Sequence, residues 1–422
     1  MAVQESHDTT APLPSRIAFI SVDGDPAIDI GGEEAGGQNV YVRQVGEALA
    51  ALGWTIDLFT RQSSPEQAPI IEHGPRCRTI RLQAGPMEFL PRNELFEHLP
   101  AFVAQWLQFQ TQQGSQYALI HTHYWLSSWV GMTLKAHQSL VQVHTYHSVG
   151  AVKYRTVPDI PAIAATRMAV EKQCLETVDR IVATSPQEKS YLHTLISPQG
   201  QLTIIPCGTD TKRFGSVSQA EARARLEVPA AQKVVFYVGR FDPRKGIETL
   251  VRAIAQSSFR HSGELCLIIG GGSRPGYTDG RERDRIEKLV HELGLSDIVQ
   301  FPGRISDADL PLYYAAATVC AVPSHYEPFG LVAIEAMASG TPVVASDVGG
   351  LQFTVIPEQT GLLVCPQDVK TLAHALDRIL ADPIWRHQLG QTAQKRVQTE
   401  FSWPGVAQQL SNLYQDLLST PA

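Results

Sequence analysis

Three stretches of the chain gather side chains and glycines suited to holding a phosphorylated ligand. The most specific is Glu327-Pro328-Phe329-Gly330-Leu331-Val332-Ala333-Ile334-Glu335, which follows the apolar run Val319 to Val322. Pro328 near a helix start and Gly330 just after it would leave backbone amides at the positive end of a helix, where a phosphate is held without side-chain charge. Two carboxylates bracket that start, and each can accept hydrogen bonds from sugar hydroxyls without being a proton-transfer catalyst. The second stretch, Tyr237-Val238-Gly239-Arg240-Phe241-Asp242-Pro243-Arg244-Lys245-Gly246, ends an apolar run with three cations. Arg offers a planar fork and Lys a point charge, and both matter most where negative charge grows as a bond breaks, as on a leaving diphosphate. The third is Gly31-Gly32-Glu33-Glu34-Ala35-Gly36-Gly37-Gln38, behind the run Ile17 to Val22. Lacking Cβ atoms, Gly36 and Gly37 let their amides lie against a hydroxyl or phosphate at the start of a helix beginning near Gln38.

A salt bridge at Glu335 with a helix cap at Glu327, a solvated basic turn at Arg240 to Lys245, or a flexible turn at Gly36 would explain each stretch singly. Their joint occurrence favours a site. The spacing is not GxGxxG, and no acidic residue ends the next strand to read a ribose, so a nicotinamide enzyme is disfavoured. Gly270-Gly271-Gly272 and Gly303-Arg304 follow two further apolar runs and are placed for a nucleotide base and ribose. His121-Thr122-His123 and His144-Thr145-Tyr146-His147 end two predicted strands, yet no HExxH or Cys/His spacing accompanies them, which argues against zinc. His147-Ser148-Val149-Gly150-Ala151-Val152-Lys153, with Arg155 beyond, suits a hydroxylated acceptor carrying a phosphate, and Arg92 and Arg167 are available to complete its cation set.

The elements that must position these residues are short apolar, β-branched runs alternating with amphipathic segments, the pattern of βα units on buried parallel sheets. The first series comprises Ile17 to Val22, Ile56 to Thr60, Thr79 to Leu82, Ala118 to His121, Val141 to Thr145, Ile181 to Thr184 and Leu202 to Ile205. A second series opens at Val234 to Val238 and continues through Leu265 to Ile269, Val299 to Phe301, Val319 to Val322 and Val343 to Ala345. The expected fold class is therefore α/β, with two Rossmann-like doubly wound domains facing each other across a cleft. The expected domains are residues 1–213 and 214–402, with the stretch 403–422 crossing back as a helix to complete the first.

Composition narrows the function classes. The 422 residues carry a net charge of −7, and no block of five Lys or Arg occurs, so the electrostatic footprint of a nucleic-acid binder is missing. Thirty-two Gly and 27 Pro are too few and too scattered for a fibrous or disordered chain. Neighbouring cysteines stand 33 residues or more apart, which excludes CxxC motifs and fits a reducing compartment. The polar N-terminus has no signal-peptide pattern and no apolar run approaches a membrane span, so a cytoplasmic protein without membrane association is expected.

With the GGQ loop at Gly36 to Gln38, His147, Gly239-Arg240 with Lys245, and the two glutamates of EPFGLVAIE, residues 15 to 418 resemble the family 4 retaining glycosyltransferases of GT-B architecture. Within that family, GGEEAGGQNVYV, HTHYW and HSVGAVK resemble the bacterial sucrose-phosphate synthases. The resemblance implies glucosyl transfer from UDP-glucose to fructose 6-phosphate, giving sucrose 6-phosphate and UDP. It assigns catalysis to His147, Arg240, Lys245 and Glu327, with Arg240 and Lys245 on the leaving diphosphate and Glu327 on the donor hexose. It assigns the donor nucleotide to Gly239, Gly271, Arg304, Phe329, Gly330, Leu331, Val332 and Glu335, the last on the ribose. Gly36, Gly37, Gln38 and Ser148 would face the acceptor sugar, and Lys153, Arg167 and Arg92 its phosphate. At Arg92 the family commonly carries Lys. The resemblance implies no obligatory cofactor or metal, and, as no phosphatase-like extension follows, a separate sucrose-phosphate phosphatase acting on the product. Its near rivals are family members that use free fructose or a phosphorylated inositol; a more distant one is a non-catalytic nucleotide-sugar sensor.

Overall fold

A computed structural model describes residues 16–28, 36–155 and 159–419. Runs of apolar, β-branched residues too short for buried helices become strands, covered on both faces at the centre of each sheet. In the first sheet these are β1 (Arg16–Ile20), β2 (Thr55–Arg61), β3 (Ile70–Gly74), β4 (Cys77–Leu82), β5 (Leu119–His123), β6 (Val141–Thr145), β7 (Arg180–Ala183) and β8 (Leu202–Ile204). Their order is β3-β4-β2-β1-β5-β6-β7-β8, and only the β3/β4 hairpin is antiparallel. The second sheet contains β9 (Lys233–Val238), β10 (Leu265–Gly270), β11 (Val299–Gly303), β12 (Val319–Val322), β13 (Val343–Ser346) and β14 (Gly361–Val364), ordered β11-β10-β9-β12-β13-β14 and wholly parallel. Chain order thus reverses between β1 and β5, and again between β9 and β12. Loops leaving the carboxyl ends of strands diverge at such points and leave a crevice for ligand.

Helices cover the sheets through regular apolar stripes. In Ile247–Gln256, Ile247, Leu250, Val251 and Ile254 are at most 1% exposed, a helical spacing that lays one face on the second sheet. Helix Gly37–Ala51 buries Tyr41, Val42, Val45 and Leu49. Strands β3 and β14 are additions to the sequence expectation. β3 is a half-exposed edge strand containing Glu72 and His73, with no apolar alternation to reveal it, and β14 is only four residues long. The stretch from Gly276 to Arg285 contains the start of a helix, Thr278–Glu292.

Two segments connect the sheets and touch each other. Thr209 donates its amide to the Phe401 carbonyl at 2.7 Å, and Thr209 and Ser402 form a parallel bridge. Beyond them, helix Trp403–Ser419 packs on Gly37–Ala51. It is fixed there by Trp54 Nε1 donating to Ser411 Oγ at 2.9 Å and by Tyr414 Oη 2.6 Å from His121 Nδ1.

Candidate active site at the interdomain cleft

The reversal between β9 and β12 supplies one wall of the cleft. The loop after β9 carries Arg240, Arg244 and Lys245 and ends at Gly246, whose φ is +70°; a Cβ there would lie 2.0 Å from the Pro323 carbonyl oxygen. Only glycine allows the cationic loop to press this closely against the exit of β12. His325 then donates its amide to the Arg244 carbonyl at 2.7 Å, and Lys245 Nζ reaches Glu327 Oε2 at 2.6 Å. Arg244 is held by both carboxylate oxygens of Asp242, whereas Arg240 is exposed at the cleft edge. Next door, Gly239 donates to Gly270 O at 3.0 Å and Gly271 to Gly303 O at 2.8 Å, which ties the three strand-end loops together ahead of exposed Arg304.

Gly330 caps helix Leu331–Ala338 at φ +97°, with buried Phe329 before it. Ala333 and Ile334 both donate back to the Gly330 carbonyl, so the Leu331 and Val332 amides are the first-turn donors with no intrahelical acceptor. Further along that helix, Glu335 Oε2 accepts a 2.7 Å hydrogen bond from buried Tyr314. Burial outweighs that bond and the charge of Arg213, and raises the Glu335 carboxyl to about 7.

The opposing wall comes from the first sheet. Gln38 Nε2 donates to Ser21 Oγ at 3.1 Å and Asp23 Oδ1 at 3.2 Å, and Arg92 Nε stands 2.8 Å from Asp23 Oδ2. A cavity of about 160 Å³ opens beside Asp23, between Thr60, Arg61 and Leu95. Gly36 and Gly37 are described at the helix start, whereas the rest of the glycine-rich stretch, residues 31–35, lies outside the described residues. Arg167 is 1% exposed and heavily engaged: Glu171 Oε1 accepts from Nε at 2.6 Å, the Ser148 carbonyl from Nη2 at 2.6 Å and Tyr124 Oη from Nη1 at 3.2 Å. Glu171 in turn accepts from the Gly150 amide. The Arg167 side chain therefore braces the segment Ser148 to Gly150, which precedes Lys153.

The walls meet. A Cβ on Gly37 would lie 3.0 Å from Leu331, so the two helix starts face each other across the cleft. Tyr326 Oη accepts from the Val149 amide at 3.2 Å. Around Lys153 the charges of both domains converge: burial first, then Arg167, Arg244, Arg92 and Arg240, lower its ammonium to about 8. Arg92 and Arg167 come from the first sheet's side, Arg240 and Arg244 from the second's. Such a concentration of positive charge on a half-buried lysine is relieved by an anion.

His147 lies at the cleft with φ +57°, its ring edge-on to Tyr41 at 5.0 Å and its Nε2 3.0 Å from His123 Nδ1. Burial lowers its imidazolium to about 3, so the ring is neutral near pH 7. Residues absent from the sequence reading are Asp23, Tyr124, Tyr314 and Tyr326. Asp23 alone had a sequence signal, as a carboxylate three residues beyond the first strand. Tyr124 lies within the HTHYW stretch without a role assigned to it there, whereas Tyr314 and Tyr326 act through the fold and carry no local motif. Among the described residues, no group of three or more His, Cys, Asp or Glu is arranged to hold a metal ion, and no helix is long and apolar enough to cross a membrane.

Comparison with known proteins supplies the family. Residues 35–213 match the description Glycosyltransferase Family 4, and residues 218–396 match Glycosyl transferases group 1. D-inositol 3-phosphate glycosyltransferases of Corynebacterium aurimucosum and Saccharomonospora viridis are each 38% identical; the first alignment covers 96% of both chains, the second 96% of this chain and 95% of the relative. Among solved structures, sucrose-phosphate synthase from Thermosynechococcus elongatus is 55% identical, with a TM-score of 0.89 over 96% of this chain and 99% of that one. Anabaena HepE in complex with UDP and glucose shares the fold at 20% identity, with a TM-score of 0.75 over 95% of this chain and 100% of that one.

Proposed function

This chain belongs to the family 4 glycosyltransferases of GT-B architecture, and from that premise we propose that it transfers glucose from UDP-glucose to fructose 6-phosphate, giving sucrose 6-phosphate and UDP. The observation that carries the acceptor assignment is that Arg92 and Arg167 share the Tyr124 ring, at 5.4 and 5.0 Å, while Lys153 feels their charge together with that of Arg244 and Arg240. A cation cluster contributed by both walls suits an acceptor phosphate brought close to a donor diphosphate. Lys153 and Arg92 would contact the acceptor phosphate directly. Arg167, buried and engaged with Glu171, Ser148 and Tyr124, would act on that phosphate through its charge and through the segment it braces rather than by direct contact.

On the donor side, Arg240, Lys245 and the first amides of Leu331–Ala338 would stabilise the diphosphate as it leaves. The ion pair Lys245–Glu327 holds both side chains at the β9/β12 reversal, where Glu327 would accept from a hexose hydroxyl. Glu335, with Tyr314 on one oxygen, would use the other on the ribose. Ser148, Gln38, Gly36 and Gly37 would line the acceptor sugar, and Gly239, Gly271, Phe329 and Arg304 the nucleotide.

Transfer would retain configuration. The acceptor hydroxyl oxygen bonds to the anomeric carbon on the face that the β-phosphate leaves, the carbon–oxygen bond to UDP breaks, and the hydroxyl proton passes to the departing phosphate oxygen. Glu327 and Glu335 both belong to the donor-binding stretch, so neither is assigned as a covalent nucleophile. No cofactor is required by this scheme, and its product would pass to a separate phosphatase.

A second reading, transfer to a phosphorylated inositol, is favoured by the names of the 38% identical relatives, and it would use the same cation cluster. Release of UDP from UDP-glucose, measured with fructose 6-phosphate, free fructose and inositol 3-phosphate in parallel, separates these possibilities. Turnover with fructose 6-phosphate, with the disaccharide phosphate identified, is the expected result. Turnover with inositol 3-phosphate alone would replace the proposal with the second reading. Turnover with free fructose alone would remove the phosphate role of Lys153.

A further inference from the structure

The proposed reaction leaves His121-Thr122-His123 unused, although this segment ends β5 directly beneath His147. The His121 and His123 rings lie 4.3 Å apart at 31°, and His123 lies 5.2 Å from His147 at 36°. His123 is fully buried, with Phe19 at 5.0 Å and Tyr41 at 5.7 Å. Its Nδ1 meets His147 Nε2 at 3.0 Å, while its own Nε2 is buried with no hydrogen-bond partner among the described residues. Burial and the neighbouring imidazoles keep the ring neutral.

A neutral imidazole carries one N–H and one bare nitrogen. The 3.0 Å contact needs a single proton between the two rings. If His147 supplied it, the His123 proton would sit on Nε2, a buried donor without an acceptor. If His123 supplies it from Nδ1, its Nε2 is only a bare lone pair. A buried N–H without an acceptor is the rarer and costlier outcome.

We infer that His123 is a positioning residue that donates its Nδ1–H to His147 Nε2 and thereby fixes His147 as the Nδ1–H tautomer. His147 is partly exposed, and its Nδ1 has no hydrogen-bond partner among the described residues, so this N–H is available to the cleft. His147 then offers a donor to a hydroxyl or ring oxygen of the bound sugar, and its one lone pair is already occupied by His123. It does not act as a general base. The tautomer follows from the two rings alone; the identity of the sugar it meets rests on the proposed function.

The test is nitrogen-15 NMR of the full chain labelled at histidine, with the His147 signals identified by their loss in His147→Asn. The expected spectrum at pH 7 has His147 protonated at Nδ1 and bare at Nε2, with the His147 tautomer shifting or becoming mixed in His123→Phe. A wild-type His147 protonated at Nε2 would overturn the inference, and that spectrum decides it even if His123→Phe does not fold. In the transferase assay, His123→Phe should lose about tenfold or more in kcat, the scale of one donor, with the KM for UDP-glucose little changed. His123→Asn, which sets an amide N–H close to the Nδ1 position, should recover most of it. Unchanged kcat in a folded His123→Phe would contradict the positioning role. The expected tautomer in a protein without turnover on fructose 6-phosphate would instead count against the proposed function and leave the inference standing.

Discussion

At the scale of single residues, opposed electrostatic demands account for the groups around the cleft. Lys245 and Glu327 hold each other at 2.6 Å, and the proposed transfer would use the lysine where a leaving diphosphate develops charge. Lys245→Ala is expected to lower turnover by about 10²-fold or more, the scale for removing a transition-state donor, and steady-state kinetics with saturating substrates checks it. Glu335 behaves differently, because burial raises its carboxyl to about 7. The folded state therefore binds this proton more tightly than the unfolded chain, and ionisation costs stability. That cost is absent below about pH 4.5, where both states are protonated, grows as pH rises, and is complete above about 7. Glu335→Gln keeps an oxygen for Tyr314 but cannot ionise. It should raise Tm relative to wild type at pH 8, with the difference vanishing near pH 4.5, while weakening UDP binding through loss of the carboxylate. Thermal scans at the two pH values, with calorimetric titration of UDP, would register both effects; a Tm gap independent of pH would contradict the assigned cause.

At the scale of elements, the site depends on loops pressed together at strand ends, and this governs what the sequence could reveal. Strands such as Leu265–Gly270 and Val319–Val322 were legible because they are buried on both faces and read as unbroken apolar runs. β3 was not, because an exposed edge strand needs no such run. The EPFGLVAIE segment announced its helix start through Pro328 and Gly330, since capping is local chemistry. Arg167 carries a local sign of its pairing, since Glu171 stands one helical turn away, but not of the burial of the pair. Tyr326 and Tyr314, by contrast, gain their roles only from the packing of one element on another, which no local spacing encodes. Gly330→Ala tests the packing at the helix start. Its φ of +97° disfavours any side chain, and the added methyl would meet Leu351 at 2.6 Å. The variant should melt lower by the equivalent of about 1–3 kcal/mol of strain and raise the KM for the donor; an unchanged donor KM would remove the Leu331 and Val332 amides from the diphosphate site.

At the scale of the whole molecule, the two sheets are joined by segments that pair at Thr209 and Phe401, while Tyr326 and Leu331 meet Val149 and Gly37 across the cleft. A closure of one domain on the other would turn about these paired segments. Closure around both substrates would exclude water that otherwise hydrolyses the donor. Small-angle scattering should therefore give a smaller radius of gyration with UDP and fructose 6-phosphate than without them, and superimposable profiles would argue for a rigid cleft.

The most direct test of the account concerns Lys153, where both domains contribute charge. The measurement is the ratio of kcat/KM for fructose 6-phosphate over free fructose, in wild type and Lys153→Met, followed from pH 7 to pH 9. In wild type the ratio should fall as pH rises through about 8, because the ammonium that recognises the phosphate is being lost. In Lys153→Met it should be lower at pH 7 by roughly 10- to 100-fold, the range for one charge-assisted hydrogen bond, and flat with pH over this interval. A ratio that is the same in both proteins and insensitive to pH would contradict the assignment of the interdomain cation cluster to the acceptor phosphate.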